Sequence, residues 1–408
     1  MSAHNTLING PVNIVRLEGT VNNVKKVIYL IMDFHMGLGS QTKCPSFSSL
    51  DLYQYLATNL KNTTFPLDFM FEITQDYINR PLYEYKDIYI REVVKFFNSE
   101  FMQRGKNDKQ NSLVRYHFID VRDYVYNTIN QYKYILDDIF YNINTKNNFN
   151  ENDYENIKYY SNLIVVELNY WESLLFGDLD NVKKNTKQNL QRLNRTKQLN
   201  KSQVKNNIRD INKFIFKIRE RYNNPDIKKK LEDNFNYISH LITTAKDFCF
   251  ELVNQLEKNK KNIIVDDFIL HYHKCIQTFD YGDNFCDNLD FIKYIVKTQY
   301  LLSHTLVILF ANIMDIYFLR RFLDKNYIKH AIVYTGAAHS LNYLQHLLTM
   351  HDFKITHTSY SLQPNIETLN KHLEKFNNIS DKREYEKNFY PPKLIQCSDL
   401  SLFPKNFE

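Results

Sequence analysis

The stretch HAIVYTGAAHSLNYLQHLL, from His330 to Leu348, decides how this chain is read. Ala331 to Tyr334 are apolar or β-prone and run straight into Gly336 through Thr335. A helix-like pattern opens immediately afterwards. A strand that passes through glycine into a helix leaves its turn residues at one edge of a sheet, where open α/β sheets bind ligands. The chain has only 8 glycines in 408 residues, so a glycine at this turn carries weight. His339 is thereby poised for chemistry rather than packing.

Working outward, the N-terminal part repeats the pattern. KVIYLIMDF (26–34) is apolar through Met32, which suits a strand buried on both faces, and it leads into His35 and a glycine-containing loop. A helix is expected from about Ser48, with Ser or Asp as its cap. PLDFMFEIT (66–74) reads as a second strand ending at Glu72, and SLVRYHFIDVR (112–122) as a third, ending near Asp120 and Arg122. Helical segments cover roughly 83–105. This β-α-β-α-β order predicts an α/β fold with a mostly parallel central sheet and flanking helices.

From about 123 to 325 the pattern is helical, and strand character returns at 330–335 and 353–361, with a last short strand expected near the C-terminus. The expected organisation is an α/β core from 1–125 and 300–408, with a large all-helical insertion at 126–299.

Composition narrows the class. With 43% hydrophobic residues, a sizeable core is available. The 30 Tyr and 29 Phe, with abundant Asn, Lys and Ile, point to an AT-rich genome and look like giant-virus proteins. No apolar run reaches the roughly 18 residues of a membrane span, and LLSHTLVILFANI (301–313) falls short. No signal-peptide pattern opens the chain, and the cysteines at 44, 249, 275, 286 and 397 have no framework spacing. The expectation is a reduced, intracellular protein without a membrane partner. The segment from Asn181 to Arg209 holds nine Lys or Arg and no Asp or Glu, against +6 for the whole chain. It is either a nucleic-acid patch or a solvated connector; the lack of aromatics weakens base stacking. His271, His273 and Cys275 offer too few ligands on one helix face for structural zinc. Nucleotide-binding and serine-elbow motifs are absent from the sequence.

His35, Glu72, Arg122 and His339 all follow strands, so a parallel sheet would gather them at one edge. Two imidazoles and a carboxylate suit a catalytic divalent transition metal (Mn, Co or Zn), which activates water. Without a metal, a His–Glu pair serves as general base and orienter. Arg122 would hold an anion or a developing oxyanion. Expected metal ligands are therefore His35, Glu72 and His339, and expected catalytic residues Glu72, Arg122 and His339.

This order resembles the superfamily that joins TraB/PrgY-type and Tiki-type proteins, erythromycin esterase-like enzymes and ChaN-like haem-binding proteins. The late GxxH motif matches as Gly336-Ala337-Ala338-His339, and Arg320 or Arg321 in FLRRFLDKNYIKH stands where the family has an Arg. Glu72 stands at the family Glu. The early motif reads Met32-Asp33-Phe34-His35, with Met in place of Gly. The resemblance covers 26–125 and 300–360. It implies hydrolysis of an amide or ester, metal-dependent in the Tiki branch. The alternatives are an inactive binding or virion-associated protein that keeps the fold, and nucleic-acid association through 181–209.

Overall fold

The computed structural model describes residues 6–73, 89–97, 113–121, 127–146, 151–178, 213–258, 290–376 and 382–408. Arg122, the basic segment 181–209 and the His271–Cys275 group lie outside the described residues. The chain divides into two compact units, Met1–Val121 with Tyr317–Glu408, and Arg122–Ile316.

The first unit is built on a six-stranded sheet. Its strands are β2 (Asn13–Val21), β3 (Val24–Asp33), β5 (Leu67–Phe71), β6 (Val114–Phe118), β7 (His330–Gly336) and β8 (Lys354–Thr358), in the order β6-β5-β7-β3-β2-β8. The pairs β6–β5, β5–β7 and β7–β3 are parallel, whereas β3–β2 and β2–β8 are antiparallel. The sheet is therefore mixed, which corrects the expectation of a mostly parallel one. The reason is a hairpin that strand-by-strand reading passes over. Asn22 and Asn23 both adopt positive φ (52° and 60°), the two-residue turn geometry that suits the twist of paired strands. That turn folds β2 back along the full length of β3, with Val21 opposite Val24 and Asn13 opposite Met32.

Strands β3, β5 and β7 read as apolar runs because both faces are covered, and β5 is buried at every position. On one face, Val27, Tyr29, Ile31, Leu67, Phe69 and Phe71 join one cluster with α1 (Leu52–Lys61) and α2 (Tyr89–Phe97). The opposite side includes Lys26, whose fully buried Nζ donates to the carbonyls of Phe322, Lys325 and Ile328 at 2.9, 2.9 and 2.6 Å. These carbonyls lie at and just beyond the C-terminus of a long helix, Asp290–Asp324, where a cation meets both the free carbonyls and the dipole. Burial is the chief influence on this amine and brings its pKa down to about 8.

A small second sheet, β4-β1-β9, joins distant parts of the chain. Its strands are β1 (Leu7–Asn9), β4 (Leu50–Asp51) and β9 (Cys397–Asp399). It brings Cys44 to Cys397, and the two form a disulfide across 353 residues of sequence. This corrects the expectation of reduced cysteines: spacing could not reveal a pair that only the pairing of β1 with both neighbours brings together. Cys249 is buried and free.

In the second unit all described elements are helical, including Asn127–Lys146, Glu151–Phe176 and Glu232–Lys258. Ile164, Leu168, Trp171 and Leu175 on the second of these repeat at helical spacing and are buried. The run 301–313, too short by itself in the sequence, lies within a longer described segment, Lys297–Asp324, that is long and apolar enough to cross a membrane; 61% of its most apolar stretch is buried inside the protein, as in a core helix.

Candidate functional site

Parallel pairing sets the C-terminal ends of β3, β5, β6 and β7 at one sheet edge: Asp33 lies opposite Gly336, and Phe71 opposite both Tyr334 and Phe118. The ends of β3, β5 and β7 deliver polar groups there. The backbone of Glu72 extends β5 by one more bond, its N–H donating to Tyr334 O at 3.1 Å. Its carboxylate then reaches the start of the helix Ala337–Met350, where Oε2 accepts the Gly336 N–H at 2.5 Å. A carboxylate at a helix N-terminus meets an unpaired N–H and the positive end of the dipole.

Two imidazoles flank this carboxylate. His35 Nε2 lies 3.5 Å from Glu72 Oε2, and His339 Nε2 lies 3.5 Å from Glu72 Oε1. Glu72 and His339 are buried, while a third of the His35 side chain remains exposed. A Cβ at Gly336 would stand 3.3 Å from His35 Nε2, so that the ring would have to give by a few tenths of an ångström, and 3.4 Å from Glu72 Oε2, an ordinary contact.

A second carboxylate backs His35. Asp33 is almost wholly buried and receives four donors: His35 N at 3.0 Å, His35 Nδ1 at 2.9 Å, Tyr334 Oη at 2.6 Å and Gln41 Nε2. Four donors fill its acceptor sites. His35 itself has φ +52°, a left-handed conformation uncommon for a non-glycine residue. The two bonds from His35 to Asp33 offset that local cost.

The protonation state of His35 follows from this setting. Burial works to lower its pKa, but the hydrogen bonds to Asp33 and Glu72, together with their charges, outweigh it and raise the pKa to about 10. His35 is an imidazolium at neutral pH, placed between two carboxylates. Tyr334 is held far above its ordinary pKa, by burial first and the Asp33 charge second, and stays a donor.

The structure thus brings together His35, Glu72 and His339. Arg321 lies elsewhere: its Nη2 meets His117 Nδ1 at 2.7 Å, and His117 Nε2 meets Asp68 Oδ1 at 2.6 Å. Burial chiefly keeps His117 below its ordinary pKa, so its neutral ring can accept from Arg321 and donate to Asp68. Arg320 is buried in the same helix. Sequence reasoning missed Asp33, Gln41, Tyr334 and Gln396. The Asp33-x-His35 spacing was visible; the others are joined only by the fold.

Among the described residues no three His, Cys, Asp or Glu side chains are set to hold one metal ion. No step below is routed through a metal.

A family model described as a family of unknown function (DUF5847) matches residues 6–408. The chain belongs to the DUF5847 family. This DUF5847 chain is similar to uncharacterized proteins of Acanthamoeba polyphaga mimivirus. One is 29% identical over 445 residues, covering 98% of each chain. A second is 29% identical over 431 residues, covering 100% of this chain and 98% of its own. A third is 30% identical over 431 residues, covering 98% and 97%. These relatives support the giant-virus affiliation read from composition. They give no support to the TraB, Tiki, erythromycin esterase and ChaN resemblance. No solved structure matches the chain significantly.

Proposed function

We propose that this DUF5847 protein is a hydrolase of ester or amide bonds that works by acid–base chemistry at Glu72, His339 and His35. The observation that carries the reading is one buried carboxylate flanked by two imidazoles at 3.5 Å each, on the ligand-binding edge of an α/β sheet. The short resemblance at Gly336–His339 and Glu72 agrees with it.

The groups divide their roles by charge. Glu72 and His339 act as the basic pair, the carboxylate orienting the ring, and take a proton from water as its oxygen attacks the carbonyl carbon. His35, already protonated, opposes the negative charge that develops on the carbonyl oxygen and supplies a proton to the leaving group. Asp33 keeps His35 charged and aimed. Arg122 is proposed on sequence grounds to hold an anionic part of the substrate.

Between host cytoplasm and virion, both compatible with a giant-virus protein, we favour the virion. The Cys44–Cys397 bond suits it better, since cytosolic thiol systems keep cysteines reduced.

The test is hydrolysis of a panel of p-nitrophenyl esters and aryl amides by wild type beside Glu72→Gln. Loss of a positioned acid–base group predicts a fall in rate of about 10²–10⁴-fold in a protein that remains folded. Equal rates in the two proteins, or none in either, would leave the binding-protein reading in its place. Elemental analysis finding one transition metal per chain, lost in His339→Ala, would restore the ligand reading.

A further inference from the structure

Gln41 and Gln396 are both fully buried, and each stands beside one half of the disulfide: Gln41 three residues before Cys44, Gln396 immediately before Cys397. Both side chains act on the two residues that precede His35. Gln41 Nε2 donates to Asp33 Oδ1 and, at 2.8 Å, to Gly10 O. Gln396 Oε1 accepts the Phe34 N–H at 2.9 Å and lies 3.2 Å from Gln41 Nε2. The cross-linked segments are also held by Gly10 N donating to Gln396 O at 3.2 Å, Ser398 Oγ to Pro11 O at 3.1 Å, and two short strand pairings. β9 pairs with β1 over three residues, and β1 with β4 over two. Cys44 N adds a bond to Asn9 Oδ1 at 2.9 Å.

We infer that the Cys44–Cys397 disulfide is a redox-controlled clamp on the site, with Gln41 and Gln396 as positioning residues that set the Asp33–His35 turn. The bond fixes the chain on both sides of the two amides. The amides fix the Asp33 carboxylate and the Phe34 backbone, and these fix a His35 held in a left-handed conformation. A turn that costs energy locally persists only while its surroundings determine it. Releasing the clamp lets the turn relax and carries the imidazolium away from Glu72.

The redox step balances. A dithiol delivers two electrons and two protons, the Sγ–Sγ bond breaks, two thiols form, and the reductant closes to its own disulfide. Reoxidation by a disulfide or thiol oxidase reverses it. The inference concerns the same cluster as the hydrolytic reading, but its test reads the turn rather than turnover, so either can fail alone.

The full-length protein is purified without reductant and compared with itself after dithiothreitol. The readouts are thiol alkylation, amide exchange at Phe34, and the low-field Nδ1 proton of His35 in protein labelled at histidine. Expected are a bonded Cys44–Cys397 pair as purified and, on reduction, exchange at Phe34 faster by about fivefold to tenfold with loss of the low-field signal. Gln396→Ala should reproduce both changes with the disulfide intact. An unbonded pair as purified overturns the inference. So does unchanged exchange at Phe34 after reduction, or a Gln396→Ala protein identical to wild type. Loss of protection throughout β7 on reduction also overturns it, since the bond would then serve general stability alone.

Discussion

At the residue scale, the charge of His35 is the property that organises the site. Its pKa is raised from 6.5 to about 10 because Asp33 and Glu72 together outweigh its burial. A group whose folded pKa lies above its unfolded value binds its proton more tightly in the folded state. Its stabilising contribution is complete below about pH 6.5 and disappears as pH rises through about 10. Urea unfolding of wild type and His35→Gln should therefore show a stability gap at pH 6 that closes toward pH 10. A gap independent of pH would mean that His35 is neutral in the folded protein. The histidines and Glu72 were legible in the sequence because each follows a strand within a few residues. Asp33 was in plain view, two residues before His35, but nothing local shows that its carboxylate turns back to the ring. Tyr334 looked like an ordinary strand aromatic, and Gln41 and Gln396 carry no signal until the two ends of the chain meet.

At the element scale, the hairpin of β2 and β3 decides the sheet. Asn-Asn is a weaker turn signal than Asn-Gly, and NIVRLEGTV mixes charge with apolar residues, so β2 did not stand out as a strand. Arg16 and Glu18 fit there because they pair with each other at 2.6 Å, and Arg16 Nε also reaches Tyr29 Oη at 2.9 Å. Asparagine tolerates the left-handed region that alanine resists by roughly 1–2 kcal/mol. Asn22→Ala and Asn23→Ala should each destabilise the protein by about 1 kcal/mol, measured as a lower urea midpoint at constant slope. A change in neither would mean that the turn does not set the register of β2. The apolar strands β3, β5 and β7 were readable from composition alone, since burial on both faces leaves no alternation to misjudge.

At the scale of the whole molecule, the α/β unit is assembled from both ends of the chain. Strands β3 and β7 are neighbours although some 300 residues separate them, as Lys26 and Ile328 in contact show. The site exists only because those ends meet: Glu72 and His35 come from the first part, Gly336 and His339 from the second. The disulfide and both glutamines belong to the same closure. None of this was visible in cysteine spacing, since long-range pairing leaves no local pattern. Sharing of the family over residues 6–408 shows that the helical unit is part of the family's chain as well.

The central claim is that Glu72 unites His339 and the Asp33-backed His35 imidazolium into one acid–base unit. The most direct test follows the ring signals of His35 and His339 through a pH titration, in wild type and Glu72→Gln. The account predicts that His35 in wild type titrates near pH 10 and that removing the Glu72 charge lowers this value while Asp33 keeps it above 6.5. A His35 that titrates near 6.5 in wild type, and does not move in Glu72→Gln, would contradict the account.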